Sequence, residues 1–183
     1  MFTCKRHTGK LAIVATSILA AAATQAADVT SPKLVLTAYI NGAGGESVMA
    51  GQYDAALTEI KRDRSGTSEA YMARVNNQCV AYAAMKQLEQ AMGACNEALR
   101  AAKYDRASAL RYSSGSPLMN GYVAIAYANR AVVQMMAKNP EAAHSDMAHA
   151  RTLAPEAEFV SQNLLAMQSA ASKIAQLIVA PAH

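Results

Sequence analysis

Apolar side chains recur along most of this chain at the spacing of one helical face. Met72, Val75, Cys79 and Tyr82 follow at intervals of three, four and three residues. A second stripe runs through Leu88, Ala91, Met92, Cys95, Ala98 and Leu99, and a third through Val160, Leu164, Met167, Ala171, Ile174 and Ile178. Punctuation falls between them. Thr67 or Ser68 can cap a helix with Glu69 in its first turn, Ser116-Pro117 restarts one, and Asn139-Pro140 turns the chain. The pattern predicts helices from Gly51 to about Arg64, two between Ser68 and Ala102, one from Pro117 to about Lys138, one from Glu141 to Leu153, and a last from Glu156 to Val179. Only the start differs. Ser31-Pro32 disfavours helix, Leu34-Val35-Leu36 reads as extended, and Asn41 to Gly45 breaks the chain before the first helix. A glycine-rich loop can cradle a phosphate, but no Gly-Lys-Ser/Thr follows this one, and Glu46 places negative charge where the anion would sit.

Two of these helix pairs repeat each other. Counting from Val75 gives Gln78, Cys79, Tyr82, Ala91, Cys95 and Ala98; counting from Tyr127 gives Arg130, Ala131, Gln134, Ala143, Met147, Ala150 and then Pro155. With its large-then-small first helix, its paired alanines and its closing proline, the pattern resembles the tetratricopeptide repeat family, and the chain as a whole looks like a small exported bacterial member of it. The resemblance spans roughly Gly51 to Pro155. It implies an all-α fold, an α-α superhelix of stacked helix pairs with a C-terminal capping helix. The parts are a half-repeat over 47–64, a repeat over 68–102, an insertion over 103–116, a repeat over 117–155 and a cap over 156–179, preceded by an extension over 27–46. Gln78, Arg130 and Gln134 depart from the apolar or aromatic residues the template prefers.

The resemblance also implies a site. In this family the first helix of each repeat lines a groove that takes other proteins. Here that implies Ala73, Asn76, Val80, Ala83 and Ala84, with Ile125, Ala128, Val132, Met135 and Met136 from the later repeat. Asn77 and Asn129 match the asparagine that, in peptide-binding members, bonds a ligand's backbone. Members that grip a C-terminal carboxylate add basic groups on that face. Arg74 and Arg130 are near but off-phase, so a mildly apolar groove is expected instead. Cys79 and Cys95 fall on the two helices of one repeat, at positions that face its interior.

Targeting and charge narrow the class. Lys5, Arg6 and Lys10 precede an apolar run from Leu11 to Ala23, and Thr24-Gln25-Ala26 offers small residues for cleavage. Thirteen apolar residues are too few to span a bilayer, which takes roughly 20. Residues 1–26 are therefore expected to be a cleaved secretory signal and the protein to be periplasmic, with no transmembrane segment in the mature chain. Of 17 basic and 13 acidic residues, three basic ones lie in the signal, so the mature protein is nearly neutral. With no basic stripe interleaved with aromatics, no nucleic-acid partner is expected. In an exported chain the two remaining cysteines are expected to form a disulfide, the alternative being two buried thiols. No Ser/His/Asp or His-Glu-x-x-His arrangement suggests catalysis. His144 and His149 are five apart, a poor spacing for a shared metal on one helical face. The expectation is a non-catalytic scaffold without cofactor or metal that recognises a protein or peptide. The competing readings are a dimerisation module built on the last helix and an enzyme or small-ligand binder framed by the stack.

Overall fold

A computed structural model describes residues 32–112 and 117–179, apart from the side chains of 109–117 and 171–179. The expected signal over 1–26 lies outside the described residues. Those residues form helices and no strand: α1 (Gly45–Met49), α2 (Tyr53–Arg62), α3 (Ser68–Ala84), α4 (Leu88–Tyr112), α5 (Pro117–Met136), α6 (Pro140–Leu153) and α7 (Glu158–Val179). The sequence predicts about six; the seventh is α1, a five-residue turn at the glycine-rich break.

Local chemistry sets the boundaries. The Thr67 hydroxyl accepts from the Ala70 N–H at the start of α3, and the Asn139 side chain accepts from the Ala142 N–H at the start of α6, where Pro140 fills a position with no N–H to satisfy. Two helices end in the same way. Lys86 and Lys138 take left-handed conformations, with φ of 61° and 60°. The N–H after each reaches back to a carbonyl of the preceding turn, Gln87 to Tyr82 and Asn139 to Gln134, both at 2.9 Å. These closures reverse the chain and lay α4 against α3 and α6 against α5. Between Ala94 and Tyr112 no glycine or proline interrupts α4. Most of the insertion expected over 103–116 is therefore an extension of that helix.

Small residues let the helices approach. Ala91 and Ala143 are fully buried, and so are Ala98, Ala124, Ala131 and Ala150. Larger side chains fill the space between pairs: Met72, Val123, Met147, Val160 and Met167 form the main cluster. Each such side chain contributes about 1.5–3 kcal/mol on burial. Cys79 and Cys95 form a second cluster with Ala83, Ala91 and Val133. Their Cα atoms are 4.9 Å apart and their sulfurs lie at disulfide distance, as expected from their places on paired helices. Arg130, a departure from the template, meets Asp146 of α6 through two 2.7 Å hydrogen bonds and Asn96 of α4 at 2.9 Å. The carboxylate holds the guanidinium above its ordinary pKa. No helix among the described residues is long and apolar enough to cross a membrane.

Candidate functional site

Asn77 on α3, Asn129 on α5 and Asn163 on α7 are each fully buried. A carboxamide carries both a donor and an acceptor, so burying one costs about 1–3 kcal/mol unless both ends are matched. All three find the same kind of match, the N–H and C=O of a single residue. Asn163 Oδ1 accepts from the Val35 N–H at 2.7 Å, and its Nδ2 donates to the Val35 carbonyl at 2.9 Å. Asn129 does the same with Thr37, at 2.8 Å for both bonds. Asn77 repeats it with Tyr39, at 2.8 Å and 2.9 Å.

The bonded residues alternate because the segment from Lys33 to Tyr39 is extended, and alternate residues of an extended chain show their polar groups to the same edge. One edge of this segment is thus read by three side chains from three successive odd-numbered helices. The chain runs across them in reverse, meeting α7 first and α3 last. Asn76 strengthens the middle rung. Its Nδ2 donates to the Thr37 carbonyl at 2.9 Å, and its Oδ1 accepts from Asn129 Nδ2 at 2.9 Å. Thr37 O therefore receives two donors, as a carbonyl with two lone pairs can.

Side chains hold the segment as well. Leu34 and Tyr39 pack on the main core, and Leu36 packs on both the cysteine cluster and the one formed by Val48, Ala56, Val80 and Ala81. The Tyr39 ring meets Tyr122 of α5 edge to face, with centroids 5.5 Å apart. Burial, with Tyr122 adding a smaller effect, pushes the Tyr39 hydroxyl well above the usual tyrosine pKa. A tight turn then leads into α1. The Gly42 N–H donates to the Tyr39 carbonyl at 3.0 Å, and Asn77 Nδ2 also reaches the Ala43 carbonyl at 3.1 Å. A Cβ on Gly45 would lie 2.1 Å from Tyr39 O, so only glycine fits there.

The residues singled out by sequence divide three ways. Asn76, Asn77 and Asn129 come together on the face where the resemblance implies a groove. That face is not open, because the chain's own residues 34–39 lie on it. Val80 and Val132 are buried in the packing, and Ala84 and Ile125 are half-buried. Met135 packs on the main core and Met136 on the cysteine cluster. The pair does not form a free flexible surface because their helix turns both side chains toward its neighbours. His144 and His149 are both exposed, and His149 stacks on Tyr127 with ring centroids 4.9 Å apart. Outside these residues, Tyr104 on the extended part of α4 is exposed. Among the described residues no His, Cys, Asp and Glu cluster suits a metal ion.

Asn163 escapes the sequence reading, although it has a signal: it stands 34 residues after Asn129, one repeat length. Comparison with protein-family models, curated proteins and solved structures returned no match.

Proposed function

We propose that this protein is an exported, non-catalytic scaffold of the tetratricopeptide type whose odd-numbered helices bind an extended polypeptide by its backbone. The observation that carries the reading is the set of three asparagines, each pairing with both polar groups of one residue in an alternating series. Such readout ignores side-chain identity, so a segment of another protein can replace Leu34 to Tyr39 if it is extended and supplies apolar side chains for the same pockets. At rest the chain's own segment occupies the site. Tethered by a short turn, it competes at an effective concentration of about a millimolar, so an incoming peptide must bind better or find the segment displaced.

The test uses the full-length chain. Val35→Pro with Thr37→Pro removes two N–H groups from the bonded edge and frees the site. A fluorescent peptide spanning residues 32–43 is then titrated in, and anisotropy is read. The freed chain should bind it, the unsubstituted chain should bind it far more weakly, and adding Asn129→Ala to the freed chain should abolish binding. A freed chain that keeps its helicity by circular dichroism yet binds no peptide would refute the proposal. Export carries its own check. The mature protein, denatured without reductant, should show no reactive thiol at Cys79 or Cys95.

A further inference from the structure

The repeat over 68–102 closes at Ala102, yet α4 runs on to Tyr112. The added turns carry Lys103 and Arg106, which wall a cavity of about 300 Å³. Val123 and Tyr127 of α5 form its second wall, and His149 and Leu153 of α6 its third. The cavity shares no residue with the seated segment or with the asparagines that hold it. Its basic side chains are fixed in place. Lys103 Nζ lies 4.8 Å from the centroid of the Tyr127 ring, and the His149 ring stacks on the same ring at 4.9 Å. Half-buried Arg106 donates from Nε to Asn120 Oδ1 at 2.8 Å, which orients the guanidinium. Among the described residues no acceptor meets its two terminal nitrogens.

The charge gathered here is not offset. No carboxylate lines the cavity, and among the described residues neither Lys103 nor Arg106 forms an ion pair. Asp146, on the helix that carries His149, gives both oxygens to Arg130. Asp105, beside Arg106 in sequence, pairs with the Ser68 hydroxyl. From Arg106 to Pro140 the sequence holds no Asp or Glu, so the stretch joining α4 to α5 supplies no counter-charge either. Two cations one turn apart on a helix repel each other, and an anion seated between them would relieve that.

We propose that this cavity binds a small organic oxyanion, a carboxylate or phosphate monoester with a compact apolar body. The Arg106 fork takes two oxygens of the head at once, and Lys103 adds a point charge beside it. Val123 and Leu153 give the body an apolar surface. The volume stands at the lower end for ligand pockets, which suits a single ring or a short chain and leaves no room for a peptide. The added turns of α4 thereby gain a role that the stacking of the repeats does not require. The site stands whether or not the asparagine face accepts any other polypeptide.

NMR of the full-length protein, titrated separately with benzoate, phenyl phosphate and benzyl alcohol at constant ionic strength, tests it. Benzyl alcohol keeps the ring and removes the charge. Amide signals of Lys103 to Ala107 and of His149 to Leu153 should shift and saturate at millimolar concentration with at least one of the two anions. The tighter of the two tells a carboxylate ligand from a phosphate one. Benzyl alcohol should bind that region at least about tenfold more weakly, as should the better anion after Arg106→Gln or Lys103→Gln. Neither anion saturating overturns the proposal. So does benzyl alcohol binding as tightly as the anions, or anion binding that survives both substitutions. If Arg106→Gln disturbs the fold, seen as lost helicity, Lys103→Gln at its exposed position decides alone.

Discussion

Asn129→Ala is the sharpest perturbation of the site. The native carboxamide makes three hydrogen bonds, to the Thr37 N–H, the Thr37 carbonyl and Asn76 Oδ1. The losses are unequal. Thr37 O keeps its bond from Asn76 Nδ2, so the acceptor remains satisfied. The Thr37 N–H and Asn76 Oδ1 lose their partners. Each orphaned group costs about 1–3 kcal/mol when water cannot reach it. Asn76 is 1 % exposed, so its oxygen bears most of that cost, while the half-buried Thr37 can recover some by hydration. The expected total is about 2–4 kcal/mol, at least tenfold in the equilibrium for releasing the segment. The assay is exchange of the Thr37 amide together with the urea midpoint. Thr37 should lose its protection, and Val35 and Tyr39 should loosen with it. Asn129→Asp should do as badly, because an ionised carboxylate accepts from the N–H but repels the carbonyl it faces. Unchanged Thr37 exchange in Asn129→Ala would refute the assignment of the middle rung.

Two further outcomes follow from groups already described. Asp146→Ala leaves the partly buried Arg130 guanidinium without its counter-charge though still bonded to Asn96, and should lower stability by about 1–3 kcal/mol by urea titration. Arg130→Met with Asp146→Leu should cost much less, since nothing buried then lacks a partner. The seat should also weaken in alkali. The folded-state pKa of Tyr39 lies above that of the unfolded chain, so its contribution is intact below about pH 10 and declines as pH rises beyond it. Tyrosinate absorbance and the Thr37 protection factor, taken relative to the base-catalysed exchange of an open amide, should change together above that pH in the native chain, and Tyr39→Phe should remove the share of that loss due to Tyr39, leaving that of Tyr122.

The helices are legible because their signals are local. Three- and four-residue spacing marks α3, α4 and α7, and Pro140 and the Thr67 cap mark starts that the structure keeps. Asn77 and Asn129 emerge only through the family template, since a lone asparagine on a helix carries no periodic signal. Asn163 is harder. Val160, Leu164 and Met167 make α7 look like a plain cap, and a buried amide between apolar neighbours has no meaning until its partner is known. That partner, Val35, lies 128 residues away. The extended start of the chain is readable from Pro32 and its β-branched and aliphatic run, but where it docks is not. Its bonds run to side chains rather than to a neighbouring strand, so no turn or matching strand announces them. Gln134 shows the limit from the other side. Its Oε1 is buried with no hydrogen-bond partner, a cost no sequence pattern foretells.

Arrays of stacked helix pairs normally hold together by nearest neighbours alone, so one end can fray while the other stays folded. The seated segment changes that. It crosses α3, α5 and α7 as one piece, with partners 38, 92 and 128 residues away. Opening any of the three layers strains a strand that the other two still hold, which works as a buckle across the stack. The same feature orders the chain's assembly. The buckle precedes in sequence every helix it crosses, yet its last rung waits for α7, so its Val35 end stays loose until the final helix is in place. A chain cut short before Asn163 would carry an apolar strand held by two rungs of three, with its Leu34–Val35 end loose, a distinctive mark by which quality control could tell an unfinished molecule from a finished one.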